Sequence, residues 1–320
     1  MRSRILYLFL SVLILFSSIQ LIGFSKNDTE PASSDAPDTA NTGTVICNFK
    51  DIAYGSDSRQ TFDLNLPVDS RKEIGILVFL HGGGWTGGDK AAVKKSVCNF
   101  ASNKDYATAS INYRLAGEEK ADIYDILDDI TAALTHIKKM AGGYGMNITK
   151  LILCGHSAGG HLALLYSYKY SKISPITPVG TFATASVPDL SSEAFYKNNS
   201  LGDEKYMCSL MSTACGVTFT PKTRAQYKSL LDELSPVNFV TRDTVPTVLV
   251  HGVKDTIAPY SGVALLDDVL TENRVKHEVI SIENAGHGVL KNAEKKKYAE
   301  DLMTACINEW FDITVKDNTI

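Results

Sequence analysis

After residue 74 the chain alternates short apolar runs with longer stretches of helical periodicity, and this alternation limits the fold more than any other feature. Gly75–Leu80 (GILVFL) and Tyr106–Asn112 (YATASIN) read as buried strands. Between Ala121 and Met140 the apolar residues Ile123, Ile126, Leu127, Ile130, Leu134 and Ile137 recur every three or four positions, which puts them on one helix face. Leu151–Cys154 predicts a strand and Ala158–Tyr170 a helix; Thr181–Ser186 predicts the next strand. Thr247–Val250 and His277–Ile282 predict strands, with helices at Ser261–Thr271 and Ala293–Phe311. Strand and helix repeated in this way imply an α/β fold, a mostly parallel sheet covered on both faces. Two earlier segments, Thr44–Tyr54 and Gln60–Leu66, are joined by a shorter connection and predict an antiparallel start.

One connection breaks the rhythm. Residues 187–245 are about twice as long as the others and carry Phe195, Tyr196, Tyr206, Phe219 and Tyr227. A long insertion between regular units either caps a site or packs on the domain edge. Residues 45–315, the insertion included, predict one domain. A chain of 320 residues with 44% hydrophobic side chains has ample surface to bury.

The N-terminus is different in kind. Arg2 and Arg4 precede a mostly apolar run from Ile5 to Ile22, and Gly23 and Ser25 are small residues suited to a cut after Ser25. Residues 1–25 therefore predict an export signal, with an uncleaved anchor over residues 5–24 as the rival. The expected location is secreted or periplasmic, and a membrane partner follows only if the segment is retained. Residues 26–44 are rich in Pro, Ser, Thr and Asp and predict a disordered linker. The net charge is −4, and the longest basic run is Lys295-Lys296-Lys297, so nucleic-acid binding has no support.

Six cysteines in an exported chain permit disulfides. Cys154, on a strand, predicts a buried free thiol; Cys208 and Cys215, flanking a short segment, are the first pair to consider. With neither C-x-x-C nor H-E-x-x-H in the chain, no metal site is expected.

The chemistry gathers at strand ends. Gly155-His156-Ser157-Ala158-Gly159 follows a strand and opens a helix, the pattern of a sharp turn that presents a serine hydroxyl. Such a hydroxyl needs a base to become a nucleophile. Among the seven histidines, His287 lies in a glycine-flanked loop after the last strand (NAGHG), while the others sit within or beside regular elements or motifs. Asp255, just after strand 247–250, precedes His287 and follows Ser157, as an orienting acid would in the order Ser, Asp, His. Leu80-His81-Gly82-Gly83-Gly84-Trp85 lets backbone N–H groups turn toward a developing oxyanion. Gly83, Gly84 and Ala158 are the expected donors, and Trp85 and His156 beside them the expected substrate contacts.

These motifs resemble those of the α/β-hydrolase superfamily, and within it the bacterial carboxylesterases with an HGGGW loop, feruloyl-esterase-like and lipase-like. The matching residues are HGGGW at 81–85 with Gly88-Asp89-Lys90, Asn112-Tyr113-Arg114-Leu115, GHSAGGH at 155–161, HGVKDTIAPYS at 251–261 and NAGHG at 284–288. The resemblance implies a central eight-stranded sheet and ester hydrolysis without a cofactor. Hormone-sensitive-lipase-like relatives continue Tyr-Arg-Leu with Ala-Pro-Glu. Leu115-Ala116-Gly117-Glu118 departs from that and favours the feruloyl-esterase-like branch. The expected activity is a serine carboxylesterase acting on small acyl esters, with carbohydrate-linked acetyl or feruloyl esters suggested by the resemblance. The alternative is a C–N hydrolase, a secreted peptidase or arylformamidase, using the same three side chains.

Overall fold

The computed structural model describes residues 45–68, 73–93, 105–197, 199–289 and 293–313. The export-signal and linker expectations lie outside them. Among the described residues no helix is long and apolar enough to cross a membrane.

Eight strands form one sheet: β1 (Val45–Ala53), β2 (Thr61–Val68), β3 (Glu73–Leu80), β4 (Tyr106–Ile111), β5 (Asn147–His156), β6 (Thr177–Thr184), β7 (Thr247–Gly252) and β8 (His277–Ile282). Their order is β1-β2-β4-β3-β5-β6-β7-β8. The pairs β1–β2 and β2–β4 are antiparallel, and every pair from β4 to β8 is parallel. In β3 and β4 nearly every residue is buried, as strands sandwiched between helices require. In β2, Phe62, Leu64 and Leu66 are buried and alternate with half-exposed neighbours, as a strand with one covered face requires.

Among the described residues the α-helices are α1 (Ile123–Gly143), α2 (Ala158–Lys169), α3 (Glu193–Tyr196), α4 (Glu204–Ala214), α5 (Lys228–Glu233), α6 (Tyr260–Glu272) and α7 (Ala293–Trp310). Asp122 starts α1 with a capping box: its carboxylate accepts from the N–H groups of Tyr124 and Asp125, while the Asp125 carboxylate accepts from the Asp122 N–H. Its buried face contains Ile123, Ile126, Leu127, Ile130, Leu134 and Ile137, the residues whose spacing defined it.

Register brings the site together. Leu80 pairs with Gly155, His156 with Thr184, Thr184 with Val250, and Gly252 with Ile282. Five adjacent parallel strands therefore end at one level, and the loops that follow β3, β5, β7 and β8 open on the same edge of the sheet. That edge is where open parallel sheets assemble sites.

Residues 187–245 form helices α3, α4 and α5 and short 3-10 turns at Arg224–Tyr227 and Pro236–Phe239. Hydrogen bonds tie the segment to the body at several points, among them the following. Asn199 Nδ2 donates to the Ile257 carbonyl at 2.9 Å. The Ser200 N–H donates to the Thr256 carbonyl at 3.0 Å. His161 Nε2 donates to the Leu234 carbonyl at 2.7 Å.

The Cys208–Cys215 pairing does not form. Both are free and buried, as are Cys154 and Cys306. Cys208 lies within α4 and Cys215 caps its C-terminus, so about 10 Å of helix rise separates them, beyond disulfide reach. Burial pushes the Cys215 thiol up to about 12 and raises Cys154 well above the ordinary thiol value.

Candidate active site

Ser157 sits between β5 and α2 with φ 56° and ψ −121°, a backbone region that non-glycine residues rarely adopt. Two close approaches enforce the turn. A Cβ at Gly155 would overlap the Gly159 carbonyl, and a Cβ at Gly159 would overlap the carbonyls of Leu80 and His81. The Ser157 N–H is anchored to the Thr184 carbonyl at 2.9 Å. The hydroxyl is thus held at the edge of the sheet on a turn that only these neighbours permit.

His287 Nε2 lies 3.0 Å from Ser157 Oγ, and His287 Nδ1 lies 2.8 Å from Asp255 Oδ2. With Nδ1–H donating to the carboxylate, Nε2 is left as the acceptor for the serine hydroxyl. The Asp255 side chain is fully buried. Its Oδ1 accepts from the Ile257 and Ala258 N–H groups at 2.8 and 2.9 Å. Burial works to raise its pKa; the His287 hydrogen bond and charge, with the two backbone donors, outweigh that and hold the carboxyl below its ordinary value. The acid is therefore an anion, aimed and fully bonded.

A second imidazole faces the same carboxylate. His251, at the end of β7, is buried and its Nε2 donates to the Ala258 carbonyl at 2.7 Å while lying 3.4 Å from Asp255 Oδ2. Burial lowers its pKa, so it stays neutral. It ties the loop carrying Asp255 back onto its own strand. The clues to it in the chain are its place four residues before Asp255 and at the head of the HGVKDTIAPYS motif.

The glycine loop lies beside the elbow because β3 and β5 end together. Gly83 has φ 124° and a Cβ there would overlap the Gly87 carbonyl, so only glycine fits. Gly82 approaches the elbow most closely: a Cβ on it would come 2.8 Å from the His156 carbonyl and 3.4 Å from Ser157 Cβ. Among the described residues, no backbone carbonyl accepts from the N–H of Gly83 or Gly84. Ala158 is the first residue of α2, whose N–H has no partner within the helix. Among the described residues, the three expected donors thus have no backbone acceptor.

His81 does not face the reaction. It is buried and stacks on Tyr113 with ring centroids 4.2 Å apart. Tyr113 also donates its hydroxyl to the His81 carbonyl at 2.7 Å, and Arg59 donates to the Gly88 carbonyl at 2.8 Å. Asn112 Oδ1 accepts from the Lys90 N–H at 2.6 Å, and its Nδ2 donates to Asp89 at 2.8 Å. The Gly88-Asp89-Lys90 and Asn112-Tyr113 motifs are therefore the scaffold of the loop.

Trp85 lies elsewhere than expected. It is 2% exposed, and its Nε1 donates to His161 Nδ1 at 3.1 Å. His161 in turn donates to Leu234, so Trp85 fastens the glycine loop to α2 and the 187–245 segment rather than contacting a substrate. A large aromatic next to a reactive loop is as useful for burial as for binding, and only packing separates the two. His156 is half-buried with its ring 5.1 Å from that of His287. Its Nδ1 bonds Thr184 Oγ1 at 3.1 Å. Burial, reinforced by the charge of His287, pushes its pKa down to about 3. It is a neutral wall of the site.

The arrangement is that of a serine hydrolase on an α/β-hydrolase fold. The BD-FAE family model matches residues 62–270, and the chain belongs to that family. It is similar to esterase LipC of Mycobacterium tuberculosis, with 22% identity over 244 residues covering 74% of this chain and 59% of LipC. It is also similar to a kynurenine formamidase of Salmo salar, with 25% identity over 146 residues covering 43% of this chain and 46% of that one. The chain spans about half to three-fifths of the length of these curated relatives. A solved structure described as a truncated carbohydrate esterase from gut microbiota superposes with a TM-score of 0.66 at 18% identity, covering 82% of this chain and 96% of that one. At that identity the likeness concerns the fold.

Proposed function

We propose that the protein is a serine carboxylesterase. The observation that carries this reading is the continuous hydrogen-bonded line from Asp255 through His287 to Ser157, beside three N–H groups with no backbone partner. In the first half-reaction Ser157 Oγ attacks the ester carbonyl carbon and His287 Nε2 takes the hydroxyl proton. The carbonyl oxygen becomes an oxyanion facing the N–H groups of Gly83, Gly84 and Ala158, each worth about 3 kcal/mol to the barrier. Collapse breaks the bond to the alcohol oxygen, which leaves with the proton from His287. Water then enters, gives its proton to His287, and the same steps release the acid and free Ser157. Asp255 stabilises the imidazolium that forms twice in each turnover.

The similarity to esterase LipC supports small acyl esters as substrates, and the motif resemblance at 81–85 and 115–118 supports carbohydrate-linked acetyl or feruloyl esters among them. The similarity to a formamidase supports a second reading, C–N hydrolysis by the same three side chains. A panel of 4-nitrophenyl acetate, methyl ferulate, acetylated xylan, N-formylkynurenine and aminoacyl amides separates them. The esterase reading requires kcat/KM for an ester to exceed that for every amide. Turnover of the formyl amide with no ester hydrolysed would establish the second reading instead.

Export rests on residues 2–25 alone, with Arg2 and Arg4 ahead of an apolar run. N-terminal sequencing of the protein from its host tests it: a start near Lys26 supports cleavage, and an intact Met1 supports an anchor.

A further inference from the structure

The 187–245 segment crosses the reactive edge in a defined direction. Ser200 and Asn199 bond to Thr256 and Ile257 in the loop after β7. Further along, Leu210 of α4 lies 3.8 Å from where a Gly84 Cβ would stand, in the loop after β3. Thr213 then meets Gly117, in the loop after β4, with its methyl 2.5 Å from the Cβ position there. In the sheet, β5 and β6 lie between β3 and β7. The chain between residues 200 and 210 therefore bridges the strand end that carries Ser157.

Tyr206 is the large side chain in that bridge. It precedes Leu210 by four residues and Thr213 by seven, so the three share one face of α4. That face is turned to the loops of the reactive edge, as the Leu210 and Thr213 contacts show. The buried stripe of α4, with Met207, Met211 and Ala214, points away into the core. Tyr206 is nonetheless 39% exposed. Its ring rests against Gly202, where a Cβ would come 2.6 Å from ring carbons, so glycine lets it lie close to the backbone. Asp203 fixes its backbone by accepting the Tyr206 N–H at 2.8 Å. A ring held from one side, with open surface on the other, is a preorganised stacking platform.

We propose that Tyr206, with Leu210 as an apolar wall beside Gly84, binds a ring in the leaving alcohol of the ester. The shared chemistry is a flat C–H or π surface, supplied by a pyranose or by an aryl group. This deepens the esterase reading and rests on Ser157 as its nucleophile.

The test compares phosphonate esters whose leaving alcohol is ethanol, a phenol or a methyl xyloside. In each, Ser157 Oγ bonds to phosphorus and the alcohol leaves with a proton, so labelling needs no turnover. The readout is the second-order labelling rate of Ser157 for each ring-bearing phosphonate divided by that for the ethyl one. Tyr206→Ala should lower this ratio about three- to tenfold, and Tyr206→Phe should retain it. Tyr206→Leu, which keeps helix and bulk without a π face, should behave as Tyr206→Ala and guards against loss of folding. A fall with the phenyl probe alone assigns an aryl alcohol, and a fall with the xyloside probe a sugar. Ratios within twofold of wild type for both ring probes, with Ser157 still labelled, would overturn the stacking role and leave the esterase reading standing. No labelling of wild-type Ser157 by any probe would overturn both.

Discussion

His287 meets Ser157 across 130 residues of sequence, its Nε2 3.0 Å from the serine Oγ. The approach requires β5 and β8 to end level at the same sheet edge, and it requires Asp255 to aim the imidazole from the loop between them. Each link in that arrangement can be broken separately.

Asp255→Asn keeps the size of the side chain but offers His287 an amide in place of a carboxylate. The imidazole then loses the charge that supports its protonated form and is free to adopt the wrong tautomer. A loss in kcat of about 10⁴ is expected with KM little changed. Steady-state kinetics on 4-nitrophenyl acetate measures it, and a loss below tenfold would remove Asp255 from its role.

His251 acts on the site through Asp255. His251→Phe removes the N–H that holds Ala258 and faces the carboxylate, and kcat should fall about tenfold with KM within twofold. His251→Gln, which can place a donor at the same point, should recover most of the loss. Equal losses in both variants would point to packing alone.

Much of the fold can be read in the chain because buried parallel strands are continuous apolar runs, as Ile74–Leu80 of β3 is; the edge strand His277–Ile282, only partly buried, is also bounded as its residues suggest. Where polar residues enter, the boundaries slip. β5 begins at Asn147, four residues before its apolar stretch, because Asn147, Thr149 and Lys150 extend past the covered part of the sheet. β6 begins at Thr177, where Pro178 masks the strand signal. In the site, Ser157, Asp255 and His287 were legible because each stands in a turn after a strand. Trp85 was not, since its indole is buried by residues far away in sequence. Leu210 was not, and Tyr206 stood out only as one of five aromatic residues in the 187–245 segment, since α4 has no strand of its own to place it over the glycine loop.

Trp85→Phe should therefore change stability more than substrate affinity. It removes the N–H donated to His161 Nδ1 and leaves that buried acceptor without a partner, a cost of about 1–3 kcal/mol. Urea unfolding should show a lower midpoint, with KM for 4-nitrophenyl acetate within about twofold of wild type. A large rise in KM at unchanged stability would return Trp85 to the substrate.

Gly155→Ala places a methyl group on the Gly159 carbonyl. Backbone cannot move away without opening the turn, so destabilisation above about 3 kcal/mol is expected. A thermal midpoint within a degree or two of wild type would contradict the close packing of the elbow.

Acid should weaken the fold well above the range in which carboxylates protonate. Burial pushes His81 and His161 down from 6.5 to about 4 and His156 to about 3, and lowers His251. These groups stay neutral in the folded chain and take up protons on unfolding. Their contribution is fully present above the unfolded value and is lost as pH falls from about 6.5 toward 4, each group adding up to ~1.4 kcal/mol per pH unit. The urea midpoint should drop steadily between pH 7 and pH 4.5. A midpoint constant over that interval would mean that these imidazoles are protonated in the folded state.

The most direct measurement is the hydrolysis of 4-nitrophenyl acetate by Ser157→Ala, with the fold checked by circular dichroism. Loss of the nucleophile should reduce kcat by about 10⁴–10⁶ while leaving the spectrum and the unfolding midpoint close to wild type. Turnover within tenfold of wild type by the folded variant would contradict the assignment of Ser157 as the nucleophile.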